Sequence, residues 1–237
     1  MKTARALKQT NNMTMTNFNR LYPESKVELT PFSLKHYDTL LNVGTFGFYK
    51  AFIRRAIDAM NIRPDDDILD MGCGTGRNAC LMARYLSLNG SILGMDISEI
   101  MGQHFERKCK EYRNLRFKQQ RIDQPFDLDQ QFDKVFMSFV FHGFPQEVRD
   151  SILQNALKHL RKGGTLNILD YAEFDVRSTP LWFRIPFKVL EGKCKYAWDY
   201  LEKDWKKILT DYGFVNFREN FFIRGHLRLL KAEKLEG

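Results

Sequence analysis

No stretch of the 237-residue chain approaches the ~20 consecutive apolar positions of a membrane-spanning helix; the longest apolar run, Val135 to Phe141, is interrupted by Ser138 and stops at His142. A bilayer crossing is therefore not expected. The first residues, MKTARALKQTNNMTMTNFNR, are basic and polar and lack the apolar core of a secretory signal, so export is not expected and residues 1–30 read as a mobile leader. Cysteine is scarce: the four present, Cys73, Cys80, Cys109 and Cys194, include no C-x-x-C pair and have no histidine at zinc spacing. That excludes a disulfide framework and a zinc module, leaving free thiols, a reducing cytoplasm and no metal as the expectation. Internal repeats and low-complexity segments are also absent.

Lysine and arginine number 37 against 29 acidic residues, a formal net charge of +8, but the cations are spread along the chain. Charge alone therefore does not choose between nucleic acid, anionic lipid and an acidic small molecule. The composition, 43% hydrophobic and 28% charged, is that of a globular protein, and the length suits one domain. From about residue 50, short apolar runs alternate with amphipathic segments, which predicts a parallel sheet with flanking helices. Strands are expected at Asp67 to Met71, Ser91 to Asp96, Leu115 to Gln119, Lys134 to Val140 and Thr165 to Asp170. Helical spacing runs through Ala79, Met82, Ala83 and Leu86, and again from Val148 to Leu160, where Gly163-Gly164 reads as a stop; Tyr49 to Met60 predicts an earlier helix. Phe214 to Phe222 and Leu227 to Glu233, joined through Arg224-Gly225-His226, predict an antiparallel hairpin. Residues 171–207 mix aromatics with lysines, and Pro180 and Pro186 forbid one long helix there. That segment is either core packing or a lid presenting Trp182, Phe183 and Phe187 to an apolar substrate.

The strongest local signal is ILDMGCGTGRNA, Ile68 to Ala79, an apolar strand that ends in a glycine turn opening a helix. Asp70, Gly72, Gly74 and Gly76 fall at alternate positions around Cys73 and Thr75. Glycine allows the tight turn and lets a ligand lie on the backbone, while a helix start offers unpaired N–H groups. Asp96 ends the next strand, where a carboxylate can accept both hydroxyls of a ribose, so a nucleoside-bearing ligand is expected. Dinucleotide-binding folds also use a glycine turn, typically with the third glycine one residue later than Gly76. Here that position is Arg77.

The resulting D-x-G-x-G-x-G resembles motif I of the class I S-adenosylmethionine-dependent methyltransferases. The resemblance implies that the turn holds the methionine part of S-adenosylmethionine, that Asp96 holds the ribose, and that Ile97 and Met101 flank the adenine. The family's acid or amide after the third strand is replaced by Arg121 and Ile122, so either the Ile122 backbone or Asp123 takes its place. Across residues 37 to 233 the chain further resembles the ubiquinone/menaquinone biosynthesis C-methyltransferases. This rests on Tyr37-Asp38 with Asn42 and Thr45-Phe46-Gly47, on Ser138-Phe139-Val140-Phe141-His142-Gly143, and on Leu160-Arg161-Lys162-Gly163-Gly164 with Leu169-Asp170-Tyr171. It departs from that family where a proline is missing before the double glycine, where Asn42 is displaced by one, and where His142-Gly143 replaces Arg-Asn.

The resemblance implies a Rossmann-like, doubly wound, mostly parallel seven-stranded sheet of order 3-2-1-4-5-7-6, with helices on both faces and an antiparallel C-terminal hairpin. It also implies a helical cap at residues 31–62, in which Tyr37 either closes over the cofactor or packs as an ordinary aromatic, and a cofactor contact at Ser138. The fourth strand ends in Ser-Phe-Val-Phe rather than the Asp/Asn-Pro-Pro-aromatic of enzymes that methylate exocyclic nitrogen. A small or lipid-like acceptor is expected, with C-methylation of a quinone precursor as the first reading and O- or N-methylation of another small molecule, or an RNA-directed or S-adenosylmethionine-binding module, as the alternatives; S-adenosylhomocysteine as co-product, peripheral membrane contact through the insert and a homodimer are among the expectations, and nucleic acid is not the partner expected first. Methyl transfer to carbon needs an acceptor made nucleophilic by deprotonation, and His142 is the base expected, against the alternative of a packing histidine.

Overall fold

The computed structural model describes residues 49–192 and 194–235. The leader, Tyr37 and most of the cap lie outside the described residues. Seven strands form one sheet: β1 (Asp67–Met71), β2 (Ser91–Asp96), β3 (Leu115–Gln119), β4 (Phe132–Ser138), β5 (Leu160–Tyr171), β6 (Phe214–Phe222) and β7 (Leu227–Lys234). Their order is β3-β2-β1-β4-β5-β7-β6. β7 runs antiparallel to both its neighbours and the other pairings are parallel. Central strands are buried on both faces, as the apolar side chains Ile68, Leu69, Val135, Phe136, Leu166 and Leu169, all at 0% exposure, require. Among the described residues seven helices flank the sheet: α1 (Tyr49–Ala59), α2 (Arg77–Met82), α3 (Glu99–Lys108), α4 (Gln146–His159), α5 (Leu181–Glu191), α6 (Lys195–Leu201) and α7 (Trp205–Asp211). None of the described helices is long and apolar enough to cross a membrane.

Three local expectations are corrected. The double glycine does not stop α4, which ends at His159; it lies inside β5, where the pairing jumps from Phe132↔Leu160 to Lys134↔Thr165. Gly163 is needed there because φ is +69°, in the left-handed region that side chains avoid. The fourth strand stops at Ser138, two residues early, because Phe139 turns the chain at φ +53°. The insert holds three short helices and no long one, as its two prolines predict, with Pro180 at the start of α5 and Pro186 inside it. Cys80 and Cys109 are not free thiols but are joined in a disulfide, Cα–Cα 5.6 Å, whereas Cys73 and Cys194 are free and buried. The cysteine-spacing rules read only local pairs; these two meet because α2 and the end of α3 pack together against the glycine turn. A Cβ on Gly76 would stand 2.5 Å from Cδ2 of Phe105 on α3.

Candidate functional site

The carboxyl ends of β1 and β2 are sewn together by backbone. The N–H groups of Gly72 and Cys73 both donate to the Met95 carbonyl, at 2.8 and 3.0 Å. Gly74 N–H donates to Asp96 Oδ2 at 2.9 Å, and Ser98 N–H to Asp96 Oδ1 at 3.0 Å. All three glycines have positive φ (+79°, +53° and +75°), which explains their alternate spacing. Gly72 is doubly constrained, since a Cβ there would meet Val140 Cγ2 at 2.9 Å. Asp70, 1% exposed, closes the floor, and its Oδ2 has no hydrogen-bond partner among the described residues. Burial, and then the neighbouring Asp96, push its carboxyl up to about 8. Burial also raises Asp96, against the opposing N–H groups of Ser98 and Gly74. The buried Asp70 and the half-buried Asp96, both with raised pKa values, and an unpartnered oxygen make a locus that a cation would relieve.

The carboxyl ends of β4 and β5 are built differently. Phe139 N–H still bonds Leu169 O at 2.9 Å, but its left-handed φ swings the chain into a short turn, Phe141–Gly143. Such a conformation costs a non-glycine residue on the order of 1–3 kcal/mol. It aims His142 back at β5, where Nδ1 lies 2.7 Å from Asp170 Oδ1 and its own N–H donates to Asp170 Oδ2 at 3.2 Å. On the other side Nε2 faces Glu191 Oε1 at 3.7 Å, at the end of α5. Burial disfavours the imidazolium, but Asp170 and Glu191 outweigh it and hold His142 well above the ordinary histidine value. The Tyr171 ring packs edge-on against His142 at 5.0 Å, and its hydroxyl donates to Glu191 Oε1 at 3.5 Å. Burial and these carboxylates raise its phenol, so it stays protonated. Arg149, fully buried on α4, holds the turn in place: its guanidinium donates to the carbonyls of Phe141 (3.3 Å), His142 (3.1 Å) and Tyr196 (2.6 Å) and pairs with Asp199 at 2.7 Å.

Residues 68–164 match the family described as "Methyltransferase domain". The chain is 26% identical over 223 residues to the demethylmenaquinone methyltransferase of Staphylococcus carnosus, covering 85% of this chain and 91% of that protein. It is a class I S-adenosylmethionine-dependent methyltransferase. Its fold is shared by a methyltransferase from Aquifex aeolicus (TM-score 0.58, 18% identity, 77% of this chain and 89% of that one). It is shared too by the CurJ carbon methyltransferase (TM-score 0.65, 16% identity, 94% and 70%). The methyltransferase takes S-adenosylmethionine as cofactor and a small molecule as methyl acceptor. Among the described residues no cluster of metal-ligating side chains occurs.

Most of the residues expected from the motif lie around the Gly72–Gly76 turn. Ile97 is half-buried and its carbonyl accepts from Gln119 at 3.0 Å; Met101 is buried on α3, whose first turn is capped by Ser98. Thr75 is buried and accepts from Lys108 at 2.9 Å. Burial, then Asp70 and Asp96, raise the Cys73 thiol, which makes it unreactive. Asp123 is engaged in a two-pronged ion pair with Arg121, and the Ile122 carbonyl accepts from Asn155 at 3.1 Å. Ser138 Oγ is buried with no partner among the described residues. Of the insert aromatics, Phe187 is buried against Tyr171 at 5.1 Å, next to His142. Phe183 stacks on His226 at 4.2 Å and Trp182, 40% exposed, lies under Arg224 at 5.2 Å, both at the hairpin turn rather than at His142. The expectations missed Asp170, Glu191, Tyr171 and Arg149. Only Asp170-Tyr171 carried a signal, as part of the family-like strand ending.

Proposed function

We propose that this enzyme methylates carbon on an acidic, lipid-like aromatic acceptor of the quinone-precursor type. The observation that carries the reading is the buried His142–Asp170 pair at 2.7 Å. The name of the Staphylococcus carnosus relative and the aromatic surround of Tyr171 and Phe187 support it. In this reading Asp70 and the Gly72–Gly76 turn with Cys73 and Thr75 hold the cationic methionine part, Asp96 the ribose, Ile97, Met101, Ile122 and Asp123 with its partner Arg121 the adenine end, and Ser138 the cofactor's acceptor-facing side. The unpartnered oxygens of Asp70 and Ser138 fit such a ligand. S-adenosylmethionine supplies an electrophilic methyl group; the chain's own task is to align the acceptor, exclude water and manage one proton.

His142 manages that proton. At rest the two carboxylates keep it as imidazolium. An acceptor hydroxyl that displaces Glu191 removes one of the causes of its raised pKa, so the imidazolium gives up its Nε2 proton to the departing Glu191 carboxylate, and the neutral Nε2 then takes the hydroxyl proton while Asp170 fixes the ring through Nδ1. The ring carbon next to the resulting oxyanion is then the nucleophile. The insert 171–207 acts as lid in this scheme, with Phe187 and Phe183 inward and Leu181, Ile185 and Val189, 58–73% exposed, outward beside Arg184 and Lys188. That outward stripe supports peripheral contact with a membrane holding the acceptor. Labelled S-adenosylmethionine incubated separately with lipid extract, RNA and total protein tests the reading. Label is expected in the organic phase of the lipid reaction; label confined to RNA or protein overturns it.

A further inference from the structure

At the amino ends of the strands, opposite the Gly72–Gly76 turn, lies a cleft of about 530 Å³. That is within the ~300–1,000 Å³ of small-molecule sites. Two irregularities of the sheet frame it. On β5 the ladder skips from Leu160 to Thr165 at Gly163, and on β6 it skips from Val215 to Arg218 at Asn216, whose φ is +53°. Bulges of this kind re-aim side chains and cluster beside functional sites. Here they bring Arg161 and Arg218 to the cleft wall, above a floor of Lys134, Thr165 and Lys231.

The charges in the cleft do not balance. Asp66 is taken by Lys134 at 3.2 Å and by the Arg63 N–H at 2.8 Å. Asp133 is taken by Arg161 and by the Asp67 N–H, and Glu233 accepts from the Asn216 amide at 3.2 Å. Among the described residues no carboxylate forms an ion pair with the side chain of Arg63, Arg218 or Lys231. Arg218 and Lys231 are moreover direct cross-strand partners, a like-charge pairing that destabilises a sheet unless something neutralises it. Burial, and then the cations Lys134 and Arg218, lower the Lys231 ammonium, consistent with this crowding.

We propose that this cleft is a second ligand site, for a soluble small molecule bearing a diphosphate or an equivalent cluster of phosphate charge. Arginine forks and a recessed lysine suit phosphate oxygens, and three cations without an ion pair call for more charge than one carboxylate brings. A lipid headgroup fits less well. Lys134 is only 6% exposed at the cleft floor, and the apolar stripe of α5 lies at the opposite end of the strands, so a bilayer touching one does not reach the other.

The test uses the full chain and inorganic pyrophosphate at low salt, by calorimetry and thermal unfolding. Saturable 1:1 binding and a rise in Tm are expected. The Arg218→Gln/Lys231→Gln variant loses affinity by about tenfold or more while binding S-adenosylhomocysteine like the wild type. Arg218 is exposed, so Arg218→Gln alone gives a weaker loss in a protein whose folding is not at issue. In the absence of pyrophosphate Arg218→Gln has an unchanged or raised Tm, because the like-charge pair is relieved. No saturable uptake by the wild type, equal uptake by the variants, or binding only to phosphatidylglycerol vesicles overturns the proposal.

Discussion

At the ends of β1 and β2 the chain builds its candidate ligand surface from backbone, whereas at the ends of β4 and β5 it uses side chains. In the first region three left-handed glycines and N–H groups bonded to Met95 and Asp96 set the shape, and the side chains mostly supply charge. In the second, a strained Phe139 and an Arg149 clamp present one histidine between two carboxylates. A backbone cradle has no room for a Cβ at Gly72 or Gly76 but is indifferent to much else; a side-chain cluster can be retuned by a single substitution and responds to pH. The first arrangement suits a ligand that never changes, the second an acceptor that differs between related enzymes.

The sharpest way to separate the two regions is His142→Ala. Methyl transfer is expected to fall by about 10²–10⁴-fold, the range of general-base catalysis, with S-adenosylhomocysteine affinity unaltered in calorimetry. Full turnover by this variant would return His142 to a packing role. Next in size, Gly76→Ala is expected to destabilise the protein by about 2–4 kcal/mol, adding left-handed strain to a clash with Phe105, as measured by urea unfolding. Gly74→Ala, whose Cβ meets nothing within 4 Å, is expected to cost only about 1–2 kcal/mol. Equal losses at both positions would contradict the packing account.

The backbone region was legible in the sequence because its requirements are local. A turn with alternate left-handed residues needs glycine at alternate positions, and an acid at the end of the next strand is one crossover away. The alternation of runs gave a parallel sheet with flanking helices, whereas the order of the strands came only with the family resemblance. The side-chain region was only half legible, since His142 meets Asp170 across 28 residues and Glu191 across 49, and no periodicity encodes that. The early end of β4 was hidden because nothing in Ser138-Phe139-Val140 announces a left-handed phenylalanine. The disulfide escaped for the same reason as the histidine's partners: Cys80 and Cys109 are 29 residues apart and are brought together by helix packing.

Two smaller effects sharpen the contrast through pH. With the Asp70 carboxyl raised to about 8, the ligand-free enzyme holds a proton there at neutrality, and a cationic cofactor favours its release. Cofactor affinity is therefore expected to rise with pH and level off above about 8, and Asp70→Asn to flatten that slope while weakening binding. An affinity independent of pH in the wild type would remove Asp70 from the cofactor's charged end. For His142 the raised pKa places the acidic limb of kcat/KM above the ordinary histidine range. Glu191→Gln removes one raising cause and is expected to move the limb to lower pH, the smallest change of the set. A limb that stays in place would mean that Glu191 does not govern the proton.

The place of β7 between β5 and β6 has a further consequence for how the molecule is assembled. β5 finds one neighbour, β4, as soon as both are made, but its other edge waits for a strand that emerges after β6. Until then the nascent chain carries an open edge of apolar residues beside the unfinished acceptor site, a template for pairing with another chain. Deleting Leu227–Lys234 would thus leave β6 without its partner and β5 exposed, making the chain prone to aggregate during synthesis.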